Sequence, residues 1–174
     1  MPQPPPVPEL EFLKICQNHG EFSRKLRALQ FPSSEATFDS YVHHVALCWF
    51  KLAKDHLVDA RAALRATRRR AVYSRSYYAA YNASKCVRFI ASGAVGLHGD
   101  DHRKASDLPD TFPDVAKWSQ ALTTLYENRL FADYDNWSTT NTNFSLTPRE
   151  SFELAREFIR QSATFIESKY GVVP

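Results

Sequence analysis

Apolar side chains recur at steps of three and four residues through most of the chain, and this spacing constrains the fold more than any other feature. Such steps place side chains on one face of an α-helix, whereas a half-buried strand alternates at every second residue. The pattern is continuous over residues 38–66 and 71–92, and it returns near Pro113 and after Thr147. Long helices joined by short links predict an all-α, antiparallel up-and-down bundle.

The last helix has the clearest start signal in the chain. Thr147 is followed by Pro148 and by Glu150, an order typical of a helix that begins with a proline and a capping box. Gly93 and Gly96 are expected to end the helix that begins near residue 71.

The N-terminal part has a weaker pattern. Residues 9–30 can form a helix that ends before Pro32, and Ser33 or Ser34 is the expected cap of the next helix. We therefore predict a tail and weak helix over 1–37 and one helical bundle over 38–170.

Composition excludes some classes of protein. No apolar run approaches the length of about 18 residues that a membrane-spanning helix needs, so we expect no membrane contact. The chain has an odd number of cysteines, and all three lie in apolar helical segments: Cys16, Cys48 and Cys86. They predict free, buried thiols in a reducing compartment, and we expect a cytoplasmic protein.

The distribution of charge is more informative than the net charge of +3. Residues 61–75 contain six arginines and no acid, which attracts phosphates or simply complements a helix end. We predict an RNA- or partner-binding face from this block and the polar stripe of the next helix: Arg68, Arg69, Arg70, Arg75, Tyr78, Asn82 and Lys85.

Two short stretches contain most of the candidate chemistry. Residues 73–84 carry four tyrosines within a segment of strong helix character. Later in the chain, Arg129 and Asp133 are four apart and share one helical face. Together they predict a polar cluster set into a helical core.

These stretches resemble the HEPN domain family over about residues 40–170, through SRSYYAAYNASK (74–85), GAVGLHGDDH (93–102) and YENRLFADYD (126–135). The resemblance implies a dimer-forming helical bundle tied to RNA cleavage, toxin–antitoxin pairs, phage defence and small nucleotidyltransferases. It also implies an arginine followed, four to six residues on, by a histidine. Two such motifs are expected to meet across a dimer cleft and to cut RNA without metal, with the 2′-hydroxyl as nucleophile.

The chain departs from that motif. Arg129 matches the arginine, but Asp133 and Tyr134 stand where the histidine would fall. His102 can replace the missing histidine if the fold brings it to Arg129. The candidate catalytic residues are therefore Arg129, Asp133, Tyr134 and His102. Arg129 and Asp133 can equally form a structural ion pair between helices. We interpret His56, on an apolar stripe, as a core histidine.

The HGDDH segment offers a second interpretation of the same region. His98, His102 and the aspartates between them are an adequate metal-ligand set, but Gly99 opposes a helix that holds both histidines on one face. We predict no metal site and no cofactor.

Three functions are open at this point. The first is an RNA- or nucleotide-linked accessory or effector protein of a toxin–antitoxin or defence-type system. It would be a homodimer that binds RNA, a nucleotidyltransferase or another antitoxin-like protein. The second is a metal-independent endoribonuclease, and the third is a helical oligomerisation module.

Overall fold

The computed structural model describes residues 2, 4–17, 23–24, 32–93, 95–96, 100–135 and 144–174. These ranges contain five α-helices and a short 3₁₀ helix, and no strand occurs within them. The all-α bundle is therefore confirmed. The elements are α1 (Glu9–Cys16), α2 (Pro32–Arg65), α3 (Arg69–Ser92), the 3₁₀ helix (Asp100–Lys104), α4 (Val115–Tyr134) and α5 (Pro148–Tyr170).

Helices α2 and α3 form an antiparallel hairpin. Asp59 lies beside Arg75, and Trp49, ten residues earlier, lies beside Lys85, so the contacts run in opposite directions along the two helices. A corner of three residues joins the helices, with Thr67 in the left-handed region at a φ of 55°. So short a link requires the two helices to lie side by side.

Helix α3 is the centre of the bundle because α2, α4 and α5 all pack against it. Ala79, Ala80 and Ala83 are fully buried, and these small side chains let the neighbouring helices approach closely. Tyr77 is also fully buried. The tyrosines of this segment therefore belong to the interior and its rim.

The predicted start of the last helix is confirmed. The Thr147 hydroxyl accepts from the backbone N–H of Glu150, and the Glu150 carboxylate accepts from the N–H of Thr147. Gly93 caps α3 in the left-handed conformation, with a φ of 72°, as its sequence predicted.

The first long helix begins earlier than predicted. Helix α2 starts at Pro32, so Ser34 lies within it and does not cap it. Proline suits a first helical position because that position needs no N–H donor. The predicted division between 37 and 38 falls inside this helix, and Phe12 and Cys16 of α1 pack in the same core as α2.

The sequence predicts that all three cysteines are buried free thiols. Cys16 and Cys86 are buried free thiols, but Cys48 is exposed, which corrects the prediction for that residue. The apolar face of α2 at this point belongs to Val45 and Trp49, and Cys48 falls beside it.

No helix in the described ranges is long and apolar enough to cross a membrane.

Candidate functional site

The tyrosines of α3 surround His102, which lies on the 3₁₀ helix. The hydroxyl of Tyr77 and Nδ1 of His102 are hydrogen-bonded at 2.9 Å. The ring of Tyr81 stacks on the imidazole with centroids 4.3 Å apart, and Tyr78 meets it edge-on at 5.9 Å. Burial raises the pKa of both Tyr77 and Tyr81, so both phenols are neutral.

Asp101, the residue before His102, anchors the 3₁₀ helix to α3. Its carboxylate accepts two hydrogen bonds from Arg88, at 3.0 and 2.9 Å, and both side chains are almost fully buried. Tyr81 donates to the same carboxylate at 2.8 Å, and the N–H of Gly96 donates at 2.6 Å. His102 is therefore held in place by its neighbour in sequence.

The pKa of Asp101 reflects these bonds. Burial acts to raise it, but the hydrogen bonds and charge of Arg88, with the donors of Gly96 and Tyr81, outweigh burial and lower it to about 2. The carboxylate therefore stays ionised at any physiological pH.

Arg129 approaches the same tyrosines from α4. Its Nη2 donates to the hydroxyl of Tyr78 at 2.7 Å and to that of Tyr134 at 3.3 Å. Its Nε lies 2.7 Å from Oδ2 of Asp133, so the expected pair on one helical face is present. This contact is an ion pair and not a hydrogen bond, because Nε has no partner of suitable geometry among the described residues.

Arg129 keeps one nitrogen available. No hydrogen bond from its Nη1 occurs within the described ranges, and Nη1 is not one of the enclosed polar atoms that lack a partner. An arginine whose Nη1 reaches solvent can donate two hydrogen bonds to an anion. The rest of the side chain is held by Tyr78, Asp133 and Tyr134, so that donor is directed from a fixed position.

His102 and Arg129 meet through Tyr78. The guanidinium carbon of Arg129 lies 5.3 Å from the centroid of that ring, and the imidazole of His102 lies 5.9 Å from it. Burial lowers the pKa of His102, and the charge of Arg129 lowers it further against the opposing effect of Asp101. The imidazole is therefore neutral near pH 7.

The remaining predicted catalytic residues lie at the rim. Tyr134 is 66% exposed, and its hydroxyl and ring both contact Arg129. Asp133 accepts from Ser74 at 3.5 Å in addition to its ion pair. The Asp133 carboxylate, beside Nε of Arg129, therefore helps to orient the guanidinium.

The predicted binding stripe on α3 is not a continuous surface. Asn82 is 5% exposed and donates to the carbonyl of Tyr78, so its predicted place on a binding face is corrected. It is buried because three helices pack around α3, which leaves little of that helix to solvent. Lys85 is half-buried, with its ammonium 4.3 Å from the ring centroid of Trp49.

The arginines of the corner are accessible. Arg68, Arg69 and Arg70 are exposed, and the guanidinium of Arg70 donates to the carbonyl of Asp135 at the end of α4. Arg75 is also exposed, one helical turn before Tyr78. It contacts His56 of α2, whose Nδ1 lies 3.2 Å from its Nη1.

His56 is the residue whose position the sequence interpretation missed. It is half-buried at the edge of the cluster, and its ring lies 5.6 Å from that of Tyr78. A signal for it was available, since His56 and Tyr78 stand eleven residues before and after Thr67 in the corner. Residues equally far from the turn of an antiparallel hairpin lie opposite each other, but the turn position was needed to use that rule.

The metal interpretation receives no added support. Among residues in the described ranges, no group of three or more His, Cys, Asp or Glu side chains is arranged to hold a metal ion. His98 and the side chain of Asp100 lie outside the described part of the chain.

The chain matches no family model, no curated protein and no solved structure. The HEPN resemblance therefore stays a prediction.

Proposed function

We propose that the protein is a metal-independent endoribonuclease in which Arg129 binds the scissile phosphate and His102 is the general base. One observation carries the proposal: a neutral imidazole and a fixed arginine contact the same tyrosine ring, Tyr78. Metal-free cleavage of RNA needs a proton acceptor near neutral pH and a cation at the phosphate. His102 supplies the first where the sequence after Arg129 lacks a histidine.

The tautomer of His102 decides which nitrogen reacts. When Nδ1–H donates to the hydroxyl of Tyr77, Nε2 keeps a free lone pair, and no described residue occupies it. The second nitrogen of a histidine is commonly set in this way by the bond that the first one makes. In this tautomer Nε2 is the atom that would accept the proton.

The reaction follows from these positions. Nε2 of His102 takes the proton of the ribose 2′-hydroxyl, and the 2′-oxygen forms a bond to phosphorus. The bond from phosphorus to the 5′-oxygen breaks, and that oxygen takes up a proton from water. The products are a 2′,3′-cyclic phosphate and a 5′-hydroxyl, and Nη1 of Arg129 stabilises the charge that develops on the phosphate oxygens.

The test is cleavage of single-stranded RNA in the presence of EDTA, with the ends of the products identified. We expect 2′,3′-cyclic phosphate ends, and we expect His102→Asn to lower kcat by about 100-fold or more, because general-base catalysis contributes that much. His44→Asn is the matched control, since His44 lies on α2 away from the tyrosine cluster. Wild-type protein that leaves RNA intact, or a His102 variant of full activity, would overturn the proposal.

A second candidate, binding without cleavage, is favoured by a basic groove between α2 and α5. A depression of about 570 Å³ is lined by apolar side chains that include Phe152 and by four arginines, Arg61, Arg65, Arg149 and Arg156. The lining also contains one acid, Glu153, which pairs with Arg156. The corner arginines continue this basic surface, because Arg69 and Arg149 line an adjoining depression. RNA or an antitoxin-like partner protein would bind there.

Salt dependence tests this second candidate. Each phosphate contact adds about 0.7 to 0.9 to the slope of log affinity against log salt. Arg65→Ala should therefore flatten the slope for RNA binding, while a slope near zero for the wild-type protein would exclude RNA as the ligand. The homodimer and the toxin–antitoxin or defence role are implied by the HEPN resemblance alone, and sedimentation tests the first of them.

A further inference from the structure

His56 is a second histidine whose ring lies against Tyr78. Its ring centroid is 5.6 Å from that of Tyr78, while His102 is at 5.9 Å and the guanidinium carbon of Arg129 at 5.3 Å. Three groups suited to phosphodiester chemistry thus converge on one phenol ring. His56 belongs to α2, so each of the three comes from a different element of the bundle.

Arg75 determines the tautomer of His56. Its Nη1 lies 3.2 Å from Nδ1 of the imidazole, and a guanidinium can only donate hydrogen bonds. Nδ1 of His56 must therefore be the acceptor, which leaves the single ring proton on Nε2. A doubly protonated ring would direct a second N–H at the guanidinium, so the neutral form is the stable one.

The environment of His56 favours the same neutral form. Burial lowers its pKa, and Arg75 lowers it further, whereas Asp59 and Asp55 on its own helix act to raise it. The half-buried ring therefore presents a neutral Nε2–H, and no described residue accepts a hydrogen bond from it.

We propose that His56 is a second catalytic residue, whose neutral Nε2–H donates a hydrogen bond to a non-bridging oxygen of the phosphate that Arg129 binds. This inference rests on the proposed ribonuclease function and extends it. His102 removes the proton, while Nε2–H of His56 and Nη1 of Arg129 stabilise the negative charge that builds up on the phosphate oxygens. Arg75 acts on the reaction as a positioning residue, because it holds the imidazole in the donating tautomer.

The alternative is that His56 only packs against Tyr78. Two variants separate these roles. His56→Phe keeps an aromatic ring against Tyr78 and removes the donor, whereas His56→Gln keeps an N–H donor near the position of Nε2 and removes the ring. The packing role predicts that Phe is tolerated better than Gln, and the donor role predicts the reverse order.

The experiment measures cleavage of a diribonucleotide, with an oxygen or a sulfur at each non-bridging position in turn. We expect His56→Phe to lower kcat about 100-fold and His56→Gln to lower it less than about tenfold, since one donor to a developing oxyanion is worth about that much. Sulfur accepts hydrogen bonds poorly, so one phosphorothioate isomer should slow the wild type and have less effect on His56→Phe.

The outcomes distinguish the two proposals. Wild-type protein that cleaves neither substrate would overturn the ribonuclease function and this inference with it. Wild-type cleavage with His56→Phe equally fast, or with an unchanged sulfur effect in that variant, would overturn the role of His56 alone. Circular dichroism and melting of both variants check that they fold, and a folded His56→Gln with good activity keeps the test decisive if His56→Phe does not fold.

Discussion

Two of the arginine–aspartate pairs among the described residues lie beside His102, and they differ in how many guanidinium nitrogens already make a hydrogen bond. The side chains of Arg88 and Asp101 are only 5% and 4% exposed. Nε of Arg88 donates to the hydroxyl of Ser84, and both terminal nitrogens donate to the carboxylate of Asp101. Arg129 and Asp133 are 11% and 26% exposed, and Nη1 of Arg129 has no partner in the described ranges.

The difference separates structure from function. A buried pair in which every guanidinium nitrogen makes a hydrogen bond has little left to offer a ligand, and it is costly to open because its charges are buried. A pair with an unused donor at a rim can bind an anion without losing its own contact. The first pair therefore fixes the 3₁₀ helix under His102, and the second presents a cation beside it.

The largest expected effect is on folding. Arg88→Leu leaves Asp101 charged, buried and without its main partner, which should lower the free energy of unfolding by about 3–5 kcal/mol. Urea unfolding measures it. Arg160→Ala is the matched control and should change nothing measurable, because that arginine is exposed and pairs only with Glu157 on its own helix. An Arg88 variant as stable as wild type would mean that the two pairs do not differ in the way described.

Arg129→Ala should lower the rate of RNA cleavage strongly and the stability of the fold only slightly. We expect kcat for RNA to fall by about 100- to 1,000-fold, as for the loss of a main oxyanion contact. The free energy of unfolding should fall by less than in Arg88→Leu, because the side chain of Asp133 is 26% exposed and that of Asp101 is 4% exposed. Asp133 is left partly solvated and can hydrate, so little is lost from the fold. Cleavage assays and urea unfolding on the same preparation measure both quantities. If the variant unfolds as readily as Arg88→Leu, the second pair is also structural.

Acid unfolding should reveal the contribution of the first pair. The pKa of Asp101 is about 2 in the folded protein, against an ordinary value of 3.8, so its contribution is complete above pH 3.8 and is lost as pH falls toward 2. This difference corresponds to about 2 kcal/mol. Stability measured in urea at pH 5, 4, 3 and 2 gives the curve for wild type.

Asp101→Asn is the comparison in that experiment. It should remove the part of the pH dependence that belongs to this carboxyl and be less stable than wild type at pH 5. An identical pH dependence in wild type and variant would show that the acid sensitivity arises elsewhere.

Local signals in the sequence were sufficient for the helices and for one of the pairs. Thr147 and Glu150 define a helix start through neighbours in the chain, and Arg129 and Asp133 meet because a helix places residues four apart together. In each case the physical cause acts within one turn of helix. Such features can be read without knowledge of the tertiary fold.

The rest of the site depends on contacts between elements. Arg88 meets Asp101 across the end of α3 and a connecting segment, and no periodic pattern links the two. His56 was interpreted as a core histidine because its stripe is apolar, and only the pairing of α2 with α3 brings it to Tyr78. Asn82 was placed on a surface because a helical stripe alone does not indicate how many neighbours the helix has.

The length of the three-residue corner between α2 and α3 determines which residues of the two helices lie opposite each other at the site. One residue inserted at the end of α2 and wound into that helix would rotate it by about 100° and shift it by about 1.5 Å relative to the corner, which would carry His56 away from Tyr78. Most side chains of the corner are exposed and should tolerate replacement, while Thr67, at its positive φ, would accept glycine most readily. Selection on this loop would therefore act on the number of residues far more than on their identity.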